Sequence, residues 1–248
     1  QHLALVMPTW VGDACMATPT LRAIRQRYPQ LKISLICRPV IRDLIWGAWG
    51  DEPAWCDSTW LVTKSGGGDV YTRRELTRAL RSSDVDAAIL LPNAFWAAAV
   101  MRLAGIRRLI GYHRDARGWL LSDRLPVPRK DGKPRPISAV DYYAALSAWI
   151  DAPLSSRAMQ LEQDGVGRQL AGQLLEQVGY DEGQPLLVLN SGAATDPRRV
   201  WPEEHVAELA RRAAIELGYF VLIHCGPAER EQADRIARSV AHPSVASM

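Results

Sequence analysis

The chain has 248 residues, of which 48% are hydrophobic and 23% charged, with a mean hydropathy of -0.13. That balance belongs to a folded protein and excludes a disordered or fibrous one, and the length allows one large domain or two ordinary ones. Thirty Lys and Arg against 27 Asp and Glu leave a formal net charge of +3, too little for non-specific nucleic-acid binding, so an anionic partner must be met locally.

Short runs rich in Val, Ile and Leu alternate with longer amphipathic stretches, the pattern of a parallel sheet covered by helices. Strands are predicted near 3–7, 31–37, 58–63, 86–91 and 108–111. Ala17, Leu21, Ile24 and Tyr28 share one face while Arg22, Arg25 and Arg27 point elsewhere, which predicts a helix over 14–28. The stretches 71–82, 93–104 and 138–150 read the same way. DAPLSSRA at 151–158 predicts a boundary that divides 1–152 from 153–248. A second α/β unit follows, with helices near 166–179, 203–217 and 228–240, strands at 186–190 and 219–225, and another strand starting at the last residues. Two Rossmann-like, doubly wound domains facing a cleft are the simplest arrangement. The second has too little sheet to bury its helices, so the natural chain is expected to continue beyond Met248.

No run approaches the roughly eighteen apolar residues of a membrane span, and QHLALVMPTW lacks a basic leader region, so a cytoplasmic protein is expected. Cys15, Cys37, Cys56 and Cys225 show no metal or disulfide spacing and read as core or near-core thiols. Only four basic residues are Lys and 26 are Arg, the side chain suited to forked contacts with phosphate and carboxylate.

Open α/β sheets bind ligands beyond the carboxyl ends of their strands, so the loops after the strands are the candidate sites. In PTWVGDACMATP at 8–19, Gly12 permits a tight turn and Asp13 stands at the entrance to a helix. Asp13 is either that helix's N-cap or a general base taking a proton from a substrate hydroxyl. In LPNAFW at 91–96, Asn93 either caps the next helix or lines the cleft. NSGAATDPRRVWPEEH at 190–205 combines small residues, which let backbone N–H groups approach a phosphate, with Arg198 and Arg199. HCGPAERE at 224–231 is a Gly-Pro turn into a helix. Arg74, Arg78 and Arg81 form a basic stripe, ordinarily a solvated face, with Glu75 and Asp84 nearby to pair with it. PVPRKDGKPRP at 126–136 reads as a mobile surface loop or a cover for an anionic substrate. A P-loop NTPase and a dinucleotide dehydrogenase are disfavoured, because neither glycine fingerprint is complete.

Taken together, PTWVGDACMATPTLRAIRQRYP at 8–29, LPNAFWAAAVMRLAGIRRLIGYHRDARGWLLSDRL at 91–125 and SGAATDPRRVWPEEHVAELA at 191–210 resemble the ADP-heptose:lipopolysaccharide heptosyltransferases of glycosyltransferase family 9. The W-V-G-D and L-P-N signals point to the heptosyltransferase II branch. The resemblance implies a GT-B fold with an N-terminal acceptor-binding domain and a C-terminal nucleotide-sugar-binding domain, incomplete here. It places the catalytic aspartate at Asp13, donor contacts at Ser191, Gly192, Thr195, Arg199 and Gly226, and acceptor contacts at Thr9, Trp10, Gly12, Asn93, Arg74 and Arg78. Arg199 stands where the family has a phosphate-binding lysine, and the family's D-[ST]-G-x-x-H motif belongs downstream of Met248, so this stretch alone is expected to bind donor weakly.

The resemblance further implies inverting transfer of L-glycero-D-manno-heptose from ADP-heptose to the heptose/Kdo inner core, without metal or other cofactor. The partners are then the nucleotide sugar and a lipid-linked acceptor at the inner membrane surface, with no nucleic acid, and the protein is cytoplasmic or peripheral on that membrane. A GT-B enzyme with another nucleotide sugar, or a non-catalytic sugar-nucleotide or lipopolysaccharide-binding module, is the alternative.

Overall fold

The strand that opens the chain, His2–Val6 (β1), is buried along its whole length, as a strand covered on both faces must be. A computed structural model of the chain describes residues 1–45, 55–161, 165–190, 192 and 200–248, and divides them into two compact units, Gln1–Gln163 and Asp164–Met248.

In the first unit β1 is followed by Val11–Arg27 (α1), Lys32–Cys37 (β2), Pro39–Ile45 (α2), Ser58–Val62 (β3), Val70–Tyr71 (β4), Arg73–Arg81 (α3), Ala87–Leu90 (β5), Phe95–Leu103 (α4) and Arg108–Tyr112 (β6). A 3-10 turn at Gly118–Leu120 leads to Asp123–Leu125 (β7), the hairpin Arg129–Lys130 (β8) and Lys133–Pro134 (β9), and Ala139–Ala148 (α5). Seven strands form one parallel sheet in the order β4-β3-β2-β1-β5-β6-β7, so the chain starts mid-sheet and winds to both edges. Alternation along β1 sends Leu3 and Leu5 to the layer of α1, α2 and α5, and Ala4 and Val6 to the layer of α3 and α4.

Helix α1 carries Pro19 in its interior, which removes the N–H that would reach the Cys15 carbonyl. The Thr18 hydroxyl donates to that carbonyl instead, at 2.8 Å, and the helix continues. Helix α3 begins in a capping box: the Glu75 N–H donates to Thr72 Oγ1, and Glu75 Oε2 accepts from the Thr72 N–H at 2.7 Å. The short elements α2, β7 and β8–β9 fall in stretches the periodicity assigned to no element, and β4 takes Tyr71 from the start of the helix predicted over 71–82, because two to seven residues are too few to display a period.

Residues 153–161 belong to the first unit, so the division falls beyond the sequence-based boundary at 152/153. Arg22 on α1 holds this segment by donating to the Ser156 and Ala158 carbonyls and to Gln160 Oε1, at 3.0–3.2 Å.

The second unit runs Gly165–Gln177 (α6), Leu186–Asn190 (β10), Glu203–Leu217 (α7), Phe220–His224 (β11), Arg230–Val240 (α8) and Val245–Ser247 (β12). Its three strands are parallel in the order β10-β11-β12. Val206, Ala210, Val221, Ile223 and Ile236 form its core. Helix α7 has Glu203 and Glu204 in its first turn, where the helix dipole favours anions, and ends at Gly218 with φ +71, the left-handed conformation glycine accepts. Among the described residues no helix is long and apolar enough to cross a membrane.

Candidate active site

The cavity at the carboxyl edge of the first sheet is built from the loops that follow β1 and β5. Helix α1 begins three residues earlier than its periodicity indicates, and the residue at its N-cap position is Trp10, which makes no capping bond. Asp13 is therefore the third helical residue and not the cap. Its half-buried carboxylate accepts one long hydrogen bond, 3.4 Å, from the Tyr143 hydroxyl. Gly12 lies inside the first helical turn and not in a tight turn of its own; a Cβ there would meet nothing within 4 Å. The space beside Asp13 is open.

Asn93 is likewise not a cap, since Ala94 holds the N-cap position of α4. Asn93 Oδ1 instead accepts from the Tyr142 hydroxyl at 3.0 Å and from Arg117 Nη2 at 3.3 Å. Tyr142 and Tyr143 are neighbours on α5, so one helix holds both candidate side chains, Asn93 through one tyrosine and Asp13 through the next. Tyr112 on β6 stacks on Tyr142 with centroids 3.8 Å apart and donates to its carbonyl at 2.8 Å. Burial, joined at Tyr143 by the Asp13 charge, pushes all three phenols above their ordinary pKa, so they remain neutral donors.

Arg117 is fully buried beneath this loop. Its guanidinium donates to the carbonyls of Pro92, Ala94 and Tyr112 besides Asn93. Burial lowers its pKa, yet an arginine stays charged at any physiological pH. The chain enters the site through Asp115 and Ala116 at φ 54 and 57, a left-handed pair that costs backbone strain. It leaves through Gly118, where a Cβ would lie 2.0 Å from the His113 ring. Three local irregularities thus combine to point one cation inward.

The resulting cavity is about 490 Å³ and is lined by Thr9, Trp10, Asp13, Asn93, Tyr142 and Tyr143, with Arg114 and Arg135 among its other walls. The segment 126–136 is a hairpin and not a plain loop, and it supplies Arg135 to this cavity, while Lys130 and Lys133 lie outside the lining. Arg74 and Arg78 are exposed on the outer face of α3 and do not line it. The sequence also holds a D-x-D, Asp84-Val85-Asp86, the spacing that binds a metal in metal-dependent glycosyltransferases. Here it precedes β5 at the opposite edge of the sheet, with Asp84 bonded to His2 and Lys32 and Asp86 to the His2 N–H.

Ser191, Thr195 and Arg199 lie outside the described residues. Gly192 and Gly226 are described and meet at Glu229: its Oε2 accepts from the Gly226 N–H at 3.3 Å, and a Cβ on Gly192 would lie 2.1 Å from the same oxygen. A side chain at Gly192 would displace the Glu229 carboxylate. Sequence reasoning missed Arg114, Arg117, Arg135, Tyr142, Tyr143 and Glu229 as site residues. Arg135 sits in the basic segment and Glu229 in the Gly-Pro turn already singled out; the buried Arg117 left no signal.

The model of glycosyltransferase family 9 (heptosyltransferase) matches residues 73–246. Lipopolysaccharide heptosyltransferase 2 of Escherichia coli is 28% identical over 246 residues, covering 95% of this chain and 66% of that protein. The chain thus spans just under two thirds of that relative's length. The structure of E. coli ADP-heptose LPS heptosyltransferase II superposes with a TM-score of 0.74 at 22% identity, covering 100% of this chain and 72% of the other. A glycosyl transferase family 9 structure from Veillonella parvula gives a TM-score of 0.80 at 18% identity, over 100% and 70%. The fold is the mixed α/β, GT-B-type fold of these proteins.

Proposed function

Because the chain belongs to glycosyltransferase family 9, the heptosyltransferases, we propose that it forms most of an inverting, metal-independent enzyme that moves L-glycero-D-manno-heptose from ADP-heptose to the heptose/Kdo inner core of lipopolysaccharide. The observation that carries this reading is Asp13: its carboxylate faces the cavity, leaves the capping of α1 undone and has open space beside it. A carboxylate serving only the helix would be spent on the N–H groups of the first turn.

An acceptor hydroxyl in the cavity attacks the anomeric carbon of the donor from the face opposite ADP. The new C–O bond forms as the bond to the diphosphate breaks, the hydroxyl proton passes to Asp13, and ADP leaves carrying the electron pair. Tyr143 holds the carboxylate in place, and Asn93, fixed by Tyr142 and Arg117, offers its amide nitrogen to an acceptor oxygen. Arg114 and Arg135 meet the anionic groups of the acceptor. The charge of ADP falls to Arg199 and to backbone N–H groups of residues 192–195. Glu229 is an acceptor only, which suits a sugar hydroxyl of the donor and repels its phosphates.

Asp13→Asn tests the assignment. Loss of kcat by roughly a hundred- to ten-thousand-fold at unchanged melting temperature is expected. Turnover equal to the parent's removes Asp13 as the base.

A further inference from the structure

Away from the cavity, the layer formed by α3, α4 and the turn at Gly118–Leu120 exposes three large apolar side chains: Phe95, Leu103 and Trp119, at 46%, 64% and 69%. Phe95 and Trp119 are in ring contact, with centroids 6.4 Å apart. Helix α4 already buries Ala97, Ala98, Val100 and Met101 against the sheet, and it contains no acidic residue. Apart from Arg102, whose guanidinium turns to the Leu120 and Arg107 carbonyls, its outward face is apolar as well as its inward one, which a helix facing only water is not.

The arginine stripe borders this face. Arg73 lies over the Trp96 ring at 4.9 Å, and Arg81 donates to the Leu103 carbonyl at 2.8 Å, so α3 flanks α4 from end to end. Arg74 and Arg78 make no hydrogen bond or ion pair among the described residues. Glu75 is bound into the capping box and reached by the charge of Arg78, and Asp84 is held by His2 and Lys32. A row of cations, interrupted only by Glu75, thus runs beside an exposed aromatic and aliphatic strip.

We propose that this face docks onto an anionic lipid bilayer, with Phe95, Trp119 and Leu103 at the headgroup–acyl boundary and Arg73, Arg74 and Arg78 on the lipid phosphates. Interfacial surfaces combine aromatic and aliphatic anchors with flanking basic residues in this way. A second copy of the chain is a poorer occupant, because a two-fold contact would set the arginine stripe against itself. The surface adjoins the cavity, since Asn93 stands two residues before Phe95. That adjacency rests on the lipid-linked acceptor proposed above: an acceptor anchored in the bilayer would present its sugars beside Asn93.

The test uses the full-length protein and sedimentation with vesicles of phosphatidylglycerol and phosphatidylethanolamine against phosphatidylcholine alone. Binding to the anionic vesicles, weakened by salt, is expected. Phe95→Ser with Trp119→Ser, both exposed positions, should lower that binding at least ten-fold without changing the melting temperature, and Arg74→Ala with Arg78→Ala about ten-fold at low salt. Should the aromatic variant misfold, quenching of parent fluorescence by brominated lipid, minus that of Trp119→Phe, still reports Trp119 in the bilayer.

No vesicle binding by the parent, equal binding by the aromatic variant, or no quenching of Trp119 overturns the proposal. So does a dimer that the aromatic variant dissociates without any vesicle binding. Transfer to a deacylated, water-soluble acceptor separates the two readings. The aromatic variant should keep that activity while losing transfer to vesicle-borne acceptor. Vesicle binding without any transferase activity would leave the docking surface standing and overturn the enzyme reading alone.

Discussion

Arg117 is the residue on which the cavity floor depends. It is buried without a carboxylate among its hydrogen-bond partners, and four oxygen atoms of other residues depend on its guanidinium. Arg117→Met keeps the volume and removes every donor, leaving the Pro92 and Ala94 carbonyls and Asn93 without that partner. Thermal or urea denaturation should register a loss of about 3 kcal/mol. A loss below about 1 kcal/mol would show that the loop holds itself. The cations at the cavity wall act differently, because Arg114 and Arg135 are exposed to it and not buried beneath it. Alanine at both should raise the acceptor KM about ten-fold with little change in kcat, which steady-state kinetics resolves. At this scale the sequence disclosed Asp13 and Asn93 by their place after strands, while capping remained a competing role for each. Capping is a local pattern, and only the tertiary contacts of Tyr142, Tyr143 and Arg117 decide which neighbours these side chains serve.

Between elements, Asp57 ties α1 to β2 and the start of β3. Asp57 Oδ2 accepts from Arg25 Nη2 at 2.8 Å and from the Ile33 N–H at 2.6 Å. Desolvation pushes the Asp57 pKa upward, but these two donors and the Arg25 charge outweigh it and hold the carboxyl below its ordinary range. A carboxyl whose folded pKa is depressed contributes stability above its unfolded pKa, about 4, and loses it as the pH falls through the folded value. The parent's melting temperature should therefore fall on acidification below about pH 4 more steeply than that of Asp57→Asn. At neutral pH the variant should melt lower, because Arg25, 5% exposed, loses its acid. Parallel acid profiles would contradict this. The long elements were legible because β1, β2, β5 and β6 are dominated by apolar residues and α1 repeats its apolar face over four turns. Helix α1 starts early because Val11 and Gly12 carry no helical signal, and the β8–β9 hairpin offers only two residues per strand.

Across the whole molecule, the alternation of strand and helix specified two α/β units, and each is present with its parallel sheet. The arginine stripe on α3 lies outside the cavity lining, a separation that a linear pattern of basic residues does not convey. The donor half of the chemistry rests on residues 191–199 and on Gly226, of which Gly192 and Gly226 are described, and on sequence similarity that covers just under two thirds of the E. coli relative. The most direct measurement is therefore ADP release by the full-length protein, with ADP-heptose as donor, heptosylated Kdo-lipid A as acceptor and EDTA present. Release that requires the acceptor and persists in EDTA is the predicted result. A well-folded protein that releases no ADP, or releases it only when a divalent metal is restored, would contradict the account.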